Sequence, residues 1–162
     1  MRISRNGKNE HQMNNEMKNL HNTYPISKRV SLKTMGVMVR KHNINENGDK
    51  QNPSKRNLDK QIRTLHKKMK KGNLVYIEYS IERNKDNIGY HTHLLIHFED
   101  REKVNQILYN FIGGKEWSTR EIGLDTFNNI SGKYGLIHTE QIMNENQFRR
   151  YINKTNQSKT LI

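Results

Sequence analysis

No cysteine occurs among the 162 residues, which excludes disulfides, cysteine-containing zinc sites and thiol nucleophiles together. Hydrophobic residues make up only 31% against 28% charged, so the core must be compact and much of the chain solvated. No apolar run approaches the ~18 residues of a membrane span. The opening MRISRNGKNEHQMNNEMKN has no apolar stretch of the kind a signal peptide needs. The expectation is therefore a chain with no membrane association, located in the cytoplasm. Acidic residues are scarce, 16 against 29 basic ones, leaving a formal charge of +13. That excess favours nucleic acid or another polyanion as partner and says nothing about fold.

The length fits one domain. Residues 1–31 are polar, Asn-rich and without period, which reads as a flexible basic arm. Periodic structure begins near Leu32, where the run LKTMGVMVR reads as a strand, followed by a turn-rich stretch from Asn43 to Pro53. Leu58, Ile62, Leu65 and Met69 then recur at helical spacing up to Gly72. Nine basic residues and one acidic residue lie between Lys50 and Lys71. Lys67, Lys68, Lys70 and Lys71 are the candidate phosphate contacts within that stretch. Two strands follow, Leu74–Glu82 and Tyr90–Phe98, joined by a turn at Asn84–Gly89. A second helix carries Val104, Ile107, Leu108 and Phe111 and closes at Gly113-Gly114. Residues 115–142 read as further strands, and a last helix runs from about Glu145 to Asn156, with Asn144 as its cap. Residues 32–156 would form the domain and 157–162 a tail. This order predicts an α+β fold: a central antiparallel sheet of about five strands with helices packed on one face.

Period two makes the hairpin informative. In Tyr90–Phe98 the even positions are mostly apolar, whereas His91, His93 and His97 project from the other face. In Leu74–Glu82 the row Val75, Ile77, Tyr79, Ile81 is apolar, and Tyr76, Glu78, Ser80 and Glu82 form the polar row. Pairing apolar with apolar gathers His91, His93 and a carboxylate on the sheet face opposite the helices. Two imidazoles and one carboxylate can hold a divalent cation and leave positions open for water or a phosphate oxygen.

HTHLLIHF (His91 to Phe98) followed, after an intervening helix and strands, by YINK (Tyr151 to Lys154) resembles the HUH endonucleases. These are replication initiators and relaxases that nick single-stranded DNA, and the likeness is to single-tyrosine initiators of rolling-circle plasmids, phages and viruses. The family's fold is an RRM-like antiparallel sheet. The resemblance implies Glu82, just before the turn, as third metal ligand, with Glu78 as fallback and Mg²⁺ or Mn²⁺ as the cation. It implies Tyr151 as nucleophile, Lys154 beside it, and origin DNA, single-stranded or hairpin, as partner. Thr92 stands where the family usually has a bulky apolar residue.

The implied chemistry is consistent with the residues. A cation on His91, His93 and a carboxylate would polarise a phosphodiester, and a tyrosine could attack its phosphorus to leave a 5′-phosphotyrosine and a free 3′-OH. Lys154 could stabilise the phenolate. His97, farther along the strand, is expected to support the ligands from behind or to contact DNA. His138 and Glu140 receive no role. A single-tyrosine insertion-sequence transposase shares these motifs, and such proteins exchange the tyrosine helix as dimers; sequence does not fix the oligomeric state. A non-enzymatic RRM-like module is a third reading, but GKYGLIHT does not match the aromatic segment that RRM recognition requires.

Overall fold

The computed structural model describes residues 32–114, 129–140, 144–154 and 157–162. The expected arm, residues 1–31, lies outside them. Among the described residues eight strands and three helices follow one another: β1 (Lys33–Lys41), β2 (Asn43–Ile44), β3 (Lys50–Gln51), α1 (Lys55–Lys70), β4 (Val75–Arg83), β5 (Tyr90–Phe98), α2 (Arg101–Phe111), β6 (Asn129–Gly132), β7 (Gly135–Glu140), α3 (Glu145–Ile152) and β8 (Lys159–Leu161). Six strands form one antiparallel sheet in the order β6-β7-β1-β5-β4-β8, and β2-β3 make a separate small hairpin. The α+β class is as expected, with one strand more than the sequence suggested. The extra strand is β8, which falls in the expected tail and pairs Ile77 with Leu161 and Tyr79 with Lys159.

α1 starts one turn before its first apolar residue because the Ser54 hydroxyl accepts from the Asn57 amide, capping an otherwise open end. Its apolar stripe, Leu58, Ile62, Leu65 and Met69, is buried together with His66. That stripe and Val104, Leu108 and Ile112 cover one sheet face, where Val37, Ile77, Leu94, Ile96 and Phe98 are inaccessible to water and Val39 is buried. The even row of β5 therefore faces α1 and α2, as alternation requires. Asp100 and Asn144 cap α2 and α3 by accepting from the Lys103 and Gln147 amides.

α3 departs from the one-face expectation. It lies on the other side of the sheet, with Phe148 and Ile152 packed on Leu95. Leu95 stands in the histidine row, so that face is apolar at one point and needs a cover. α3 also ends at Ile152, four residues earlier than the sequence suggested.

Candidate metal and tyrosine site

The turn after β4 sets the site. Asn84 donates its amide to the Gly89 carbonyl and accepts from the Asn87 amide, while Asn87 (φ 59°) and Gly89 (φ 72°) take left-handed conformations. This closure fixes the register Glu82↔His91, Ser80↔His93, Glu78↔Leu95 and Tyr76↔His97. Directly paired residues share a face, so the polar row of β4 and the histidine row of β5 stand together.

Glu82, His91 and His93 converge, their ligand atoms all within 4.8 Å of one another. Glu82 Oε2 is 3.2 Å from His91 Nε2 and 3.3 Å from His93 Nε2. The far ring nitrogens are held from outside. His91 Nδ1 lies 2.8 Å from Asn84 Oδ1, and His93 Nδ1 lies 2.7 Å from Glu140 Oε1. Both partners accept, so a neutral imidazole carries its proton on Nδ1 and turns the Nε2 lone pair toward Glu82. Burial and the neighbouring His93 keep the His91 pKa below the ordinary histidine value, against the pull of Glu82. Glu82 Oε1 and His93 Nε2 are buried and have no hydrogen-bond partner. Two lone pairs and a carboxylate facing one another, with two buried atoms unpaired, is a donor set for a cation of borderline or oxygen-preferring character.

Asn84 and Glu140 carried no role in the sequence reading. Asn84 looks like an ordinary turn residue, and its second use appears only once the turn is closed. Glu140 reaches His93 because the registers set both Leu95 and Glu140 beside Gly36, which puts no side chain between them.

Tyr151, on α3, is 46% exposed and meets the His93 ring edge-on at 5.2 Å between centroids. Lys154 lies in the turn just past the helix, held by its amide to the Tyr151 carbonyl. Its Nζ is 4.3 Å from the Tyr151 ring centroid and 3.3 Å from Glu82 Oε2. Burial alone would lower its pKa, but Glu82 and Tyr151 outweigh burial and raise it. The structure thus brings His91, His93, Glu82, Tyr151 and Lys154 into one group.

Glu78 and His97 are not in it. Glu78 is buried, and Arg149 donates to it from both Nε and Nη2, the latter at 3.0 Å. His97 Nε2 lies 3.0 Å from Glu78 Oε2, its Nδ1 faces the Thr34 hydroxyl, and its ring stacks on Tyr76 at 3.9 Å. Burial pushes the Glu78 pKa up, and His97 and Arg149 together bring it below the usual carboxylate value. The fallback ligand is therefore an anchor for α3. His97, expected either behind the metal ligands or against DNA, is an interior group only 2% exposed, which leaves no DNA contact for it in this structure. Glu145 extends this group, since Arg149 Nη2 also donates to it at 3.0 Å.

The four candidate lysines, Lys67, Lys68, Lys70 and Lys71, are exposed at the end of α1, on the opposite side of the sheet from the histidines. Lys70 donates to the Ile162 carbonyl. No described helix is long and apolar enough to cross a membrane. Comparison with protein-family models, curated proteins and solved structures gives no match.

Proposed function

We propose that this chain is a divalent-metal-dependent, single-tyrosine DNA nickase and strand-joining enzyme of the HUH type, acting on single-stranded origin DNA to initiate rolling-circle replication. The observation that supports the reading best is the convergence of two outward-buttressed imidazoles and Glu82 beneath an exposed tyrosine with a lysine against its ring. The motif order that resembles the family and the net charge of +13 agree with a DNA substrate.

His91, His93 and Glu82 would hold Mg²⁺ or Mn²⁺, and the bound ion would supply Lewis-acid polarisation of a phosphate oxygen. Tyr151 Oη attacks phosphorus, its bond to phosphorus forming as the P–O3′ bond breaks. The phenolic proton leaves Tyr151, and the displaced 3′ oxygen takes one up. Lys154 stabilises the phenolate, whose reference pKa of about 10 would otherwise keep it protonated near neutrality. The phosphotyrosine conserves the ester, so a 3′-OH can attack it and rejoin the strand.

The test is incubation with Mn²⁺ and tiled single-stranded oligonucleotides from the DNA flanking its own gene, read on a denaturing gel. A covalent adduct that maps to Tyr151 and disappears in Tyr151→Phe supports the reading. An adduct on another residue, or strand cleavage undiminished in Tyr151→Phe, overturns it.

A further inference from the structure

The helix-covered side of the sheet has a second concavity, remote from the histidines. It is a cleft of about 430 Å³ between α1 and α2, at the small end of the range usual for small-molecule sites. Lys60 and Lys68 line it from α1 and Lys41 from the end of β1, together with the side-chain amides of Asn110 and of Asn57, whose Oδ1 accepts from Gln61 Nε2 at 2.7 Å. Leu65, Ile107 and Phe111 supply its apolar wall. Among the described residues no carboxylate lines it. Asp59, the one acidic residue of α1, is engaged elsewhere by Tyr79, Arg63 and Lys159.

Lys41 has an unusual setting. Its ammonium lies 4.9 Å from the Phe111 ring centroid and 5.0 Å from that of Tyr134, so its described neighbours are π faces and not counter-ions. Burial lowers its pKa. Three ammonium groups around one cleft, with no carboxylate among its described lining, repel one another, and a ligand of two or more negative charges would relieve them. The apolar wall and the paired amides suit a flat, hydrogen-bonding ring more than a bare inorganic anion.

We propose that this cleft binds a nucleoside phosphate, the phosphate on Lys41, Lys60 and Lys68 and the base along Phe111 with its edge toward Asn57 and Asn110. The ligand comes either as a free nucleotide or as one unit of a DNA strand. The site lies across the sheet from Tyr151 and does not depend on the nuclease reading.

Titration calorimetry with dTMP, thymidine and inorganic phosphate tests it on the full chain. The expected result is dTMP binding at least about tenfold tighter than phosphate or thymidine, a difference of about one power of ten in Kd. Lys60→Met, at an exposed position that folding does not need, should weaken dTMP about tenfold, and Lys41→Met likewise. Phe111→Leu should abolish the advantage of dTMP over phosphate. Tyr151→Phe and His91→Ala should leave dTMP binding unchanged, which separates this site from the nuclease site. A competing oligonucleotide that expels dTMP identifies a strand unit as occupant, and one that binds alongside it identifies the free nucleotide; both support the proposal. Equal affinity for dTMP and phosphate, no dTMP binding, or insensitivity to both lysine variants overturns it.

Discussion

His91 and His93 are each held at the outer ring nitrogen, by Asn84 and Glu140, and these holders are as testable as the ligands. Asn84→Ala and Glu140→Gln should each weaken Mn²⁺ binding roughly 10–100-fold, the usual effect of removing an outer partner of a ligating imidazole. His91→Ala and His93→Ala should abolish it. Calorimetry with Mn²⁺ measures both, and unchanged affinity in Glu140→Gln would show that His93 needs no buttress. A different histidine sets a pH dependence that involves no metal. His66 is buried and donates from Nε2 to the Val75 carbonyl at 3.0 Å, and burial outweighs that bond to hold its pKa below the ordinary value. The unfolded chain therefore binds the proton more readily. The contribution is fully present above about pH 6.5 and is lost as pH falls through that value toward the folded pKa. Urea midpoints at pH 7.5 and 5.5 should differ, and His66→Gln should reduce the difference.

α3 is eight residues long, too short to persist alone, so its place rests on Phe148, Ile152 and the Arg149–Glu78 pair. Arg149→Met leaves a buried carboxylate with only His97 beside it, and should cost roughly 3–5 kcal/mol. Arg149→Met with Glu78→Gln should recover much of that loss, because the stranded charge is gone. A double-mutant cycle on thermal midpoints checks it. Additive effects would mean the two side chains do not depend on each other. The hairpin was legible in the sequence because alternation over nine residues on each strand, broken in β5 only at Thr92 and Leu95, favours the one register that buries the apolar rows. The α3 anchor was not: Glu78 and Arg149 are 71 residues apart, and nothing local marks either as the other's partner. β8 was hidden for a related reason. Three residues with one apolar side chain, Leu161, carry no period, and their pairing is decided by the open edge of β4.

Charge is the property of the whole molecule that sequence conveyed best, yet its direction was not legible. The +13 excess belongs to the whole chain, and among the described residues the Lys67–Lys71 group lies on the opposite side of the sheet from Tyr151. If a single strand wraps from one side to the other, neutralising Lys67, Lys68, Lys70 and Lys71 should lower the slope of log K against log salt. The reduction is at most ~2.8, four charges at ~0.7 each. Lys70, tied to the Ile162 carbonyl, should contribute least. An unchanged slope would confine the DNA to the tyrosine side.

The junction between α2 and the β6–β7 turn has a consequence for how this chain could change in length. The Lys133 and Tyr134 amides donate to the Gly113 and Ile112 carbonyls at 3.1 and 2.8 Å. A side chain at Gly132 would collide with the Ile112 carbonyl, so the two backbones meet where only glycine fits. Gly114 thus stands beside the end of β6 at Gly132, and the described chain resumes at Asn129, the other end of that strand. Added chain length between two fixed ends costs little, about 0.6 kcal/mol for each doubling of a flexible connection. Insertions there should be tolerated while the strands on either side keep their register, making this the natural place for the chain to gain a new recognition segment or to accept a grafted one.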